Sequence, residues 1–232
     1  MRWTKWTLAA LVACALAAVP AAAQQAPSAP QAHFVVVLDA AHGGDDTGGH
    51  FSNGQLEKTL TLAMSARLRS LLAARGIQVV TTRDSDATVE PDKRAEIANH
   101  AAAQVCLSLH ASESGSGLHL FVSSLTPAQS TRFPAWKTAQ AAWVTRSLAL
   151  EGVLNSALLQ TGMSVTLGRT TLPAVDSMTC PAVSVEIAPE RSTNHETTAG
   201  LDDKDYLARV AAALAAALLE WQTDAWRTEA HP

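Results

Sequence analysis

The chain has 232 residues, of which 16% are charged, and a formal net charge of −4 at pH 7. Lysine and arginine form no dense cluster in it, which argues against a nucleic-acid-binding protein. About 200 residues follow the first thirty, and that length suits one domain with one sizeable core.

Residues 1–23 have the pattern of a secretory signal peptide. Arg2 and Lys5 make a basic start, residues 6–19 are almost wholly apolar, and three alanines follow Pro20. This order matches the basic, apolar and small-residue cleavage regions of an export signal. The apolar run is shorter than the roughly 20 residues that a membrane span needs, so no stable span is expected.

The leader also contains a second cleavage motif. The segment LVAC, Leu11–Cys14, is typical of a lipoprotein site, which would place a lipid on Cys14. Apolar residues continue past Cys14, and this favours ordinary signal cleavage. Residues 24–33 are rich in Ala, Pro and Gln and predict a short linker. We therefore expect an exported protein of the periplasm, with the cell wall or the medium as alternatives.

Short apolar runs alternate with amphipathic segments in the rest of the chain. In chain order they predict a strand at Phe34–Leu38, a helix at Leu56–Arg75, a strand at Ile77–Thr82, a helix at Pro91–Ala102, strands at Val105–Leu109 and Leu118–Val122, a helix at Lys137–Leu159, a strand at Val183–Ile187 and a helix at Asp203–Trp221. Continuous apolar strands that alternate with helices indicate an α/β fold. We predict a single domain over residues 34–222, with a mainly parallel (mixed) central sheet flanked by helices on both faces, and a C-terminal tail at 223–232.

Metal-binding and acidic side chains stand at the ends of these elements. His42 follows the first strand, His110 ends the third, Glu186 lies near the end of the last, and Glu57 stands at the entrance to the first helix. Ligands bind beyond the carboxyl ends of parallel strands, so these residues should meet at one edge of the sheet. Two imidazoles and one carboxylate are the ligands of a catalytic zinc site, and a further carboxylate can transfer protons.

The gaps between these residues are long and irregular, but the segments around them are more specific. In chain order these segments are LDAAHGGDDTGG, LEKTLTLAMSARLRSLLAARGIQVVTTRDSD, KRAEIAN, CLSLHAS and PAVSVEIAP. Their order resembles that of the zinc-dependent N-acetylmuramoyl-L-alanine amidases of the amidase-3 (AmiC-like) family. The resemblance covers roughly Val35–Leu219 and implies one α/β domain with a mixed sheet between helices.

The resemblance also implies roles for individual residues. The family's zinc ligands fall on His42, Glu57 and His110, and its catalytic glutamate falls on Glu186. Zn²⁺ is then the cofactor and peptidoglycan the substrate. The bond cleaved is the amide between the lactyl group of N-acetylmuramic acid and L-alanine of the stem peptide. Taken alone, Glu57 would be an ordinary acid at a helix N-terminus.

Two other functions stay open. The protein could be a zinc peptidase or amidase that acts on another exported substrate. It could also be a non-catalytic peptidoglycan-binding domain with the same fold, because Ala41 stands where the family usually has Gly, and IAPERSTN follows the strand of Glu186. In some relatives an insertion corresponding to residues 121–148 occludes the zinc until an activator protein binds, and this segment is short for that role. We expect a monomer.

The remaining polar residues have lesser predicted roles. Asp46 is expected to brace the first loop or a zinc-binding histidine. Glycines that allow tight turns in that loop are Gly43, Gly44 and Gly48. A structural set is expected at Arg83, Arg94 and Asn99, and groove-lining candidates are Arg169 and Asp176. The histidines expected at the surface or in loops are His33, His50, His100, His119, His195 and His231. Both a disulfide and two buried thiols suit Cys106 and Cys180.

Overall fold

A computed structural model describes residues 34–129 and 135–230, with the backbone alone at 225–230. The predicted leader and linker, the lipidation site at Cys14, and His33 and His231 lie outside the described residues. None of the helices in the described part of the chain has the length and apolarity needed to cross a bilayer.

The strands and helices alternate along the chain. They are β1 (Val35–Ala40), α1 (Glu57–Ala73), β2 (Gln78–Thr81), α2 (Pro91–His100), β3 (Val105–Ala111), β4 (Leu118–Ser123), α3 (Val144–Gln160), β5 (Val165–Thr170), β6 (Ala182–Ile187), β7 (Glu190–Arg191), β8 (Thr197–Ala199) and α4 (Lys204–Ala230). Short 3₁₀ helices lie at Trp136–Ala142 and Val175–Ser177. As predicted, Pro91 begins α2, where its fixed φ and missing N–H cost nothing.

The central sheet has six strands in the order β2-β1-β3-β6-β4-β5. Neighbouring strands are parallel except at β4 and β6, which pair antiparallel. This confirms the predicted mainly parallel, mixed sheet. Because β4 runs antiparallel to β6, the amino end of β4 lies at the same edge as the carboxyl ends of β1, β3 and β6. The predicted site residues lie at this edge.

Helices cover both faces of the sheet, as predicted. Side chains from α1, α3 and α4 pack on one face, with Leu68, Leu154 and Leu214 fully buried among strand residues. The second face is covered by α2 and the 175–177 segment, whose contacts include Ala95 and Val175. Each fully buried leucine contributes about 1.5–3 kcal/mol from removal of apolar surface from water.

The predicted helix at Lys137–Leu159 is wrong in its first part. The chain forms a 3₁₀ helix there, with a non-helical Thr138 (φ −131°), and α3 begins only at Val144. The cause is the buried amide of Gln140, whose Nε2 donates to the carbonyls of Met178 (3.0 Å) and Cys180 (3.1 Å). A buried amide must satisfy its hydrogen bonds, and these partners bend the segment toward the loop before β6.

The structure also adds elements that the pattern did not predict. Strand β5 is an edge strand with exposed positions on both faces, and Leu167 is 49% exposed, so it lacks the apolar run of a buried strand. Helix α4 continues past Trp221 to Ala230 through most of the predicted tail. Cys106 and Cys180 form a disulfide that joins β3 to the segment before β6, which decides between the two alternatives for this pair.

Candidate metal centre

His42 lies two residues beyond Ala40, the last residue of β1, and has a left-handed backbone conformation (φ 62°). Such a conformation costs a non-glycine residue on the order of 1–3 kcal/mol and persists only where neighbours hold it. Arg94 supplies that support, because its guanidinium donates to the carbonyls of Ala40 (2.7 Å) and His42 (2.8 Å). Positive φ falls on His42 and not on Ala41, so an alanine before the histidine fits this backbone.

The loop after His42 fixes the orientation of its imidazole. Asp46 Oδ2 lies 2.9 Å from His42 Nδ1, as predicted for a residue that braces a metal-binding histidine. Gly43, Gly44 and Gly48 all have positive φ, which confirms their predicted turn role. A Cβ on Gly48 would lie 2.6 Å from His42 Cδ2, so the loop can pass this close to the ring only at a glycine.

Glu57 is the first residue of α1 and is buried beneath the two histidines. The loop carbonyls of Thr47 and Gly49 accept the first N–H groups of this helix, which sets its starting point. The Glu57 Oε2 atom accepts a hydrogen bond from the Gly49 N–H (2.9 Å), and Glu57 Oε1 accepts one from the Ala111 N–H (3.1 Å). Both carboxylate oxygens are therefore held in place by the backbone.

Both histidines approach the Glu57 carboxylate. His42 Nε2 lies 3.1 Å from Oε2, and His110 Nδ1 lies 3.1 Å from Oε1. Burial opposes ionisation of Glu57, but these hydrogen bonds and those from the backbone outweigh it and hold its pKa well below the ordinary range. The hydrogen bond to Glu57 is also the main reason why the pKa of His42 is raised.

His42, Glu57 and His110 form a group that could hold a metal ion. Each offers one ligand atom, and these atoms all lie within 4.8 Å of one another. The two rings stand edge to face, with centroids 5.5 Å apart. Because Asp46 occupies Nδ1 of His42, its Nε2 is left to face the other ligands. The structure thus brings together the residues predicted as metal ligands.

Glu186, the predicted catalytic residue, lies on β6 directly beside His110 in the sheet. The parallel register pairs His110 with Glu186, and paired residues on adjacent strands point to the same face. The side chain of Glu186 is 30% exposed, so solvent can reach its carboxylate. A carboxylate that could transfer protons therefore stands next to the candidate metal ligands.

His119 was predicted to be a surface or loop residue, and that prediction is wrong. It lies on β4, its side chain is 14% exposed, and its Nδ1 is 2.7 Å from Glu186 Oε1. It reaches the site because β4 runs antiparallel to β6. The feature of the sequence that could have identified His119 is its position as the second residue of a predicted strand.

A cavity of about 410 Å³ opens beside the candidate metal ligands. Its wall toward α2 and the loop before β6 is mainly apolar and includes Val89, Pro91, Pro173 and Ala174. Ser108 and Ser184 add polar groups from the strands, and His42 and His110 stand at its margin. The cleft can therefore hold a ligand that has both apolar and polar parts beside the metal centre.

The predicted structural set is confirmed. Arg83 and Arg94 are buried and donate to backbone carbonyls around His42, and Asn99 binds the Ser177 carbonyl and the Thr179 N–H. Of the two groove-lining candidates, Arg169 donates to the Ser123 and Leu125 carbonyls and so braces a loop. Asp176 accepts from the Leu172 N–H and also lines a second cavity. Among the histidines that the structure describes, His50, His100 and His195 are exposed, as predicted.

Comparison with known proteins agrees with this geometry. AmiA of Escherichia coli (strain K12) is 43% identical over 77 residues, which are 33% of this chain and 27% of AmiA. The solved catalytic domain of CwlV from Bacillus (Paenibacillus) polymyxa var. colistinus is 27% identical, with a TM-score of 0.64 over 82% of this chain and 98% of that domain. AmiA and CwlV are both N-acetylmuramoyl-L-alanine amidases.

A more distant structure shares the fold alone. The CwlD amidase from Clostridioides difficile, solved in complex with the GerS lipoprotein, is 18% identical with a TM-score of 0.63, over 82% of this chain and 99% of that one.

The match to AmiA spans only about a quarter of that relative's length. The family model described as N-acetylmuramoyl-L-alanine amidase matches residues 36–220, which is most of this chain. The chain therefore belongs to the amidase-3 family.

Proposed function

We propose that this protein is an exported, zinc-dependent peptidoglycan amidase. It would cleave the amide between the lactyl group of N-acetylmuramic acid and L-alanine of the stem peptide. The observation that carries the proposal is the group of His42, Glu57 and His110, whose ligand atoms lie within 4.8 Å of one another beside Glu186. The family match and the export signal predicted at residues 1–23 support the same substrate, which lies outside the cytoplasmic membrane.

The chemistry of the candidate ligands fits zinc. Two imidazole nitrogens and one carboxylate oxygen are the ligands of many catalytic zinc sites, and they leave a position for water or substrate. Zinc, when bound, would supply Lewis acidity and make a water nucleophile available at neutral pH. Asp46 would hold the His42 ring in the tautomer that offers Nε2, and the Gly49 and Ala111 N–H groups would keep the Glu57 oxygens in place.

Glu186 is proposed as the general base and then the general acid. Its carboxylate would accept the proton of the attacking water and deliver it to the departing amine nitrogen of L-alanine. The cavity beside the ligands would hold the part of the substrate next to the scissile bond, with its apolar wall against the aliphatic groups. Expulsion of water from that cleft strengthens the electrostatic contacts within it.

The proposal is tested with the purified mature protein on isolated peptidoglycan. Release of soluble stem peptides should require zinc, stop with a chelator and return when zinc is restored. Glu186→Gln should keep stoichiometric zinc and lose hydrolysis, whereas His42→Ala should lose the metal. Near-full activity of Glu186→Gln would remove its role as base, and stoichiometric zinc in His42→Ala would remove His42 from the ligand set.

The same assay separates the alternatives. A protein that binds zinc and peptidoglycan but releases nothing is either a binding domain or an amidase that needs an activator, and addition of periplasmic extract distinguishes them. CwlD, which has been solved with a lipoprotein partner, motivates that second arm. A zinc-loaded protein that cleaves exported peptides but not peptidoglycan is the peptidase of the other alternative. Sedimentation of the same sample tests the predicted monomer.

A further inference from the structure

We propose that His119 is a positioning residue for the carboxylate of Glu186. The inference rests on the proposed role of Glu186 as base. Nδ1 of His119 lies 2.7 Å from Oε1 of Glu186, which is within the range of a charge-assisted hydrogen bond. An ionised carboxylate can only accept, so His119 must carry its proton on Nδ1 and donate it.

The sheet register makes this contact a fixed one. Glu186 is paired with His110 on β3 on one side and with His119 on β4 on the other. All three side chains therefore point to the same face of the sheet. The candidate base stands between a candidate metal ligand and a histidine that the mechanism has not yet used.

The opposite edge of the His119 ring is held by a backbone loop. A Cβ built on Gly115 would lie 2.2 Å from His119 Cε1 and 2.4 Å from Nε2, so the glycine backbone lies directly against the ring. Arg191 fixes that loop by donating to the carbonyls of Gly115 (3.0 Å) and Glu113 (3.2 Å). The Phe121 ring contacts the imidazole edge to face, with centroids 6.4 Å apart. The imidazole is thereby confined to one orientation.

This arrangement gives the two carboxylate oxygens of Glu186 different roles. Oε1 is occupied by the His119 N–H, and no residue in the described part of the chain donates to Oε2. Oε2 is then the oxygen left to accept the proton of the attacking water. Without His119, a carboxylate that is 30% exposed could rotate toward solvent, and misplacement of a reacting group by about 1 Å can cost on the order of 100-fold in rate.

The first test compares His119→Leu with His119→Asn. The leucine cannot donate, whereas the asparagine amide can place an N–H close to the position of Nδ1. His119→Leu should lower kcat by about 10- to 100-fold, the range for residues that orient a functional group, with KM and zinc content unchanged. His119→Asn should recover most of that loss. Equal loss in both variants, or a fall in thermal stability that parallels activity, would assign His119 a merely structural role.

A second pair of variants tests the ring's confinement. The methyl group added by Gly115→Ala would overlap the His119 imidazole and displace it, so this variant should reproduce the kcat loss of His119→Leu. Gly54→Ala is the matched control, because Gly54 also has a positive φ (83°) but a Cβ there meets nothing within 4 Å. It should leave kcat unchanged. Equal kcat values for the two alanine variants would contradict the proposed contact.

A measurement on the zinc-free protein separates this inference from the proposed function. Nitrogen NMR of the histidine side chains should find the His119 proton on Nδ1, and Glu186→Leu should change that signal. A proton on Nε2 alone would overturn the inference whatever the activity. If Glu186→Gln is inactive and His119→Leu is fully active, the positioning role fails while the base role stands. If Glu186→Gln is active, both fail together.

Discussion

Asp46 Oδ2 lies 2.9 Å from Nδ1 of His42, and this contact leaves Nε2 of His42 facing Glu57 at 3.1 Å. The aspartate therefore selects the tautomer of a candidate metal ligand from the side of the ring that faces away from Glu57. We predict that Asp46→Asn lowers zinc affinity by about 10- to 100-fold, the usual cost of losing such an outer partner. Competition with a fluorescent zinc chelator measures the change.

The control for this variant is the neighbouring aspartate. Asp45 is exposed, and its backbone N–H, not its carboxylate, makes the loop contact to Thr88. Asp45→Asn removes the same charge from the same loop and should leave zinc affinity unchanged. Equal losses of affinity in the two asparagine variants would show that Asp46 contributes only through its charge, and wild-type affinity in both would show that it contributes nothing. Either result would contradict the orienting role.

The buried ion pair between Arg94 and Asp39 is predicted to be important for stability. The two groups are 2.7 Å apart, and Arg94 also holds the strained loop at His42. Arg94→Met leaves the Asp39 charge buried without this partner and should lower the free energy of unfolding by about 3–5 kcal/mol. Urea denaturation measures this loss. Lys93→Met removes an exposed pair to Glu96 and should cost less than about 1 kcal/mol, so similar losses would contradict the argument.

Glu151 on α3 predicts an unusual pH dependence of stability. Its side chain is 6% exposed, and burial raises its pKa above the ordinary value of 4.5, although Arg169 acts in the opposite direction. Because the folded pKa is the higher one, Glu151 costs no stability below pH 4.5, and the cost grows as pH rises through the folded pKa. Glu151→Gln should therefore unfold at a higher temperature than the wild type at pH 7 and at the same temperature near pH 4.

The control for Glu151 is an exposed acid on another helix. Glu220→Gln on α4 removes the same charge where solvent already surrounds it, and its melting temperature should match the wild type at both pH values. A melting temperature of Glu151→Gln equal to the wild type at pH 7 would show that the buried carboxylate carries no penalty.

The disulfide between Cys106 and Cys180 should contribute a large share of the stability. It closes a span of 74 residues between β3 and the segment before β6. Such a link restricts the unfolded chain, and its removal typically costs about 2–5 kcal/mol. The Cys106→Ala/Cys180→Ala double variant should show that loss in denaturant and still bind one zinc. Unchanged stability would mean that the sheet alone determines the position of the two strands.

The sequence was sufficient to predict the candidate metal ligands, for a physical reason. The two histidines lie at or just beyond the carboxyl ends of buried parallel strands, and such ends meet at one edge of the sheet. That rule located His42 and His110, whereas Glu57 was assigned by the resemblance to a family, because an acid at a helix N-terminus is ordinary on its own. The resemblance to a family then separated these residues from the other histidines.

His119 and the break before α3 depended on tertiary structure. A histidine at the amino end of a strand joins the site only if that strand runs antiparallel to its neighbour, and strand direction is not visible in hydrophobic pattern. The segment from Trp136 has helical composition, but Gln140 reaches carbonyls about 40 residues away. Strand direction decided the position of His119, and the long-range partners of a buried amide overrode the local helical signal at Gln140.

Under the proposed function, the zinc-loaded protein cuts one particular amide bond of peptidoglycan. The most direct measurement labels the new amine ends after digestion of purified peptidoglycan and identifies them by mass spectrometry. We expect stem peptides that begin with L-alanine and glycan strands that keep intact N-acetylmuramic acid. New amines on any other residue, or new reducing sugar ends, from a zinc-loaded sample would contradict it.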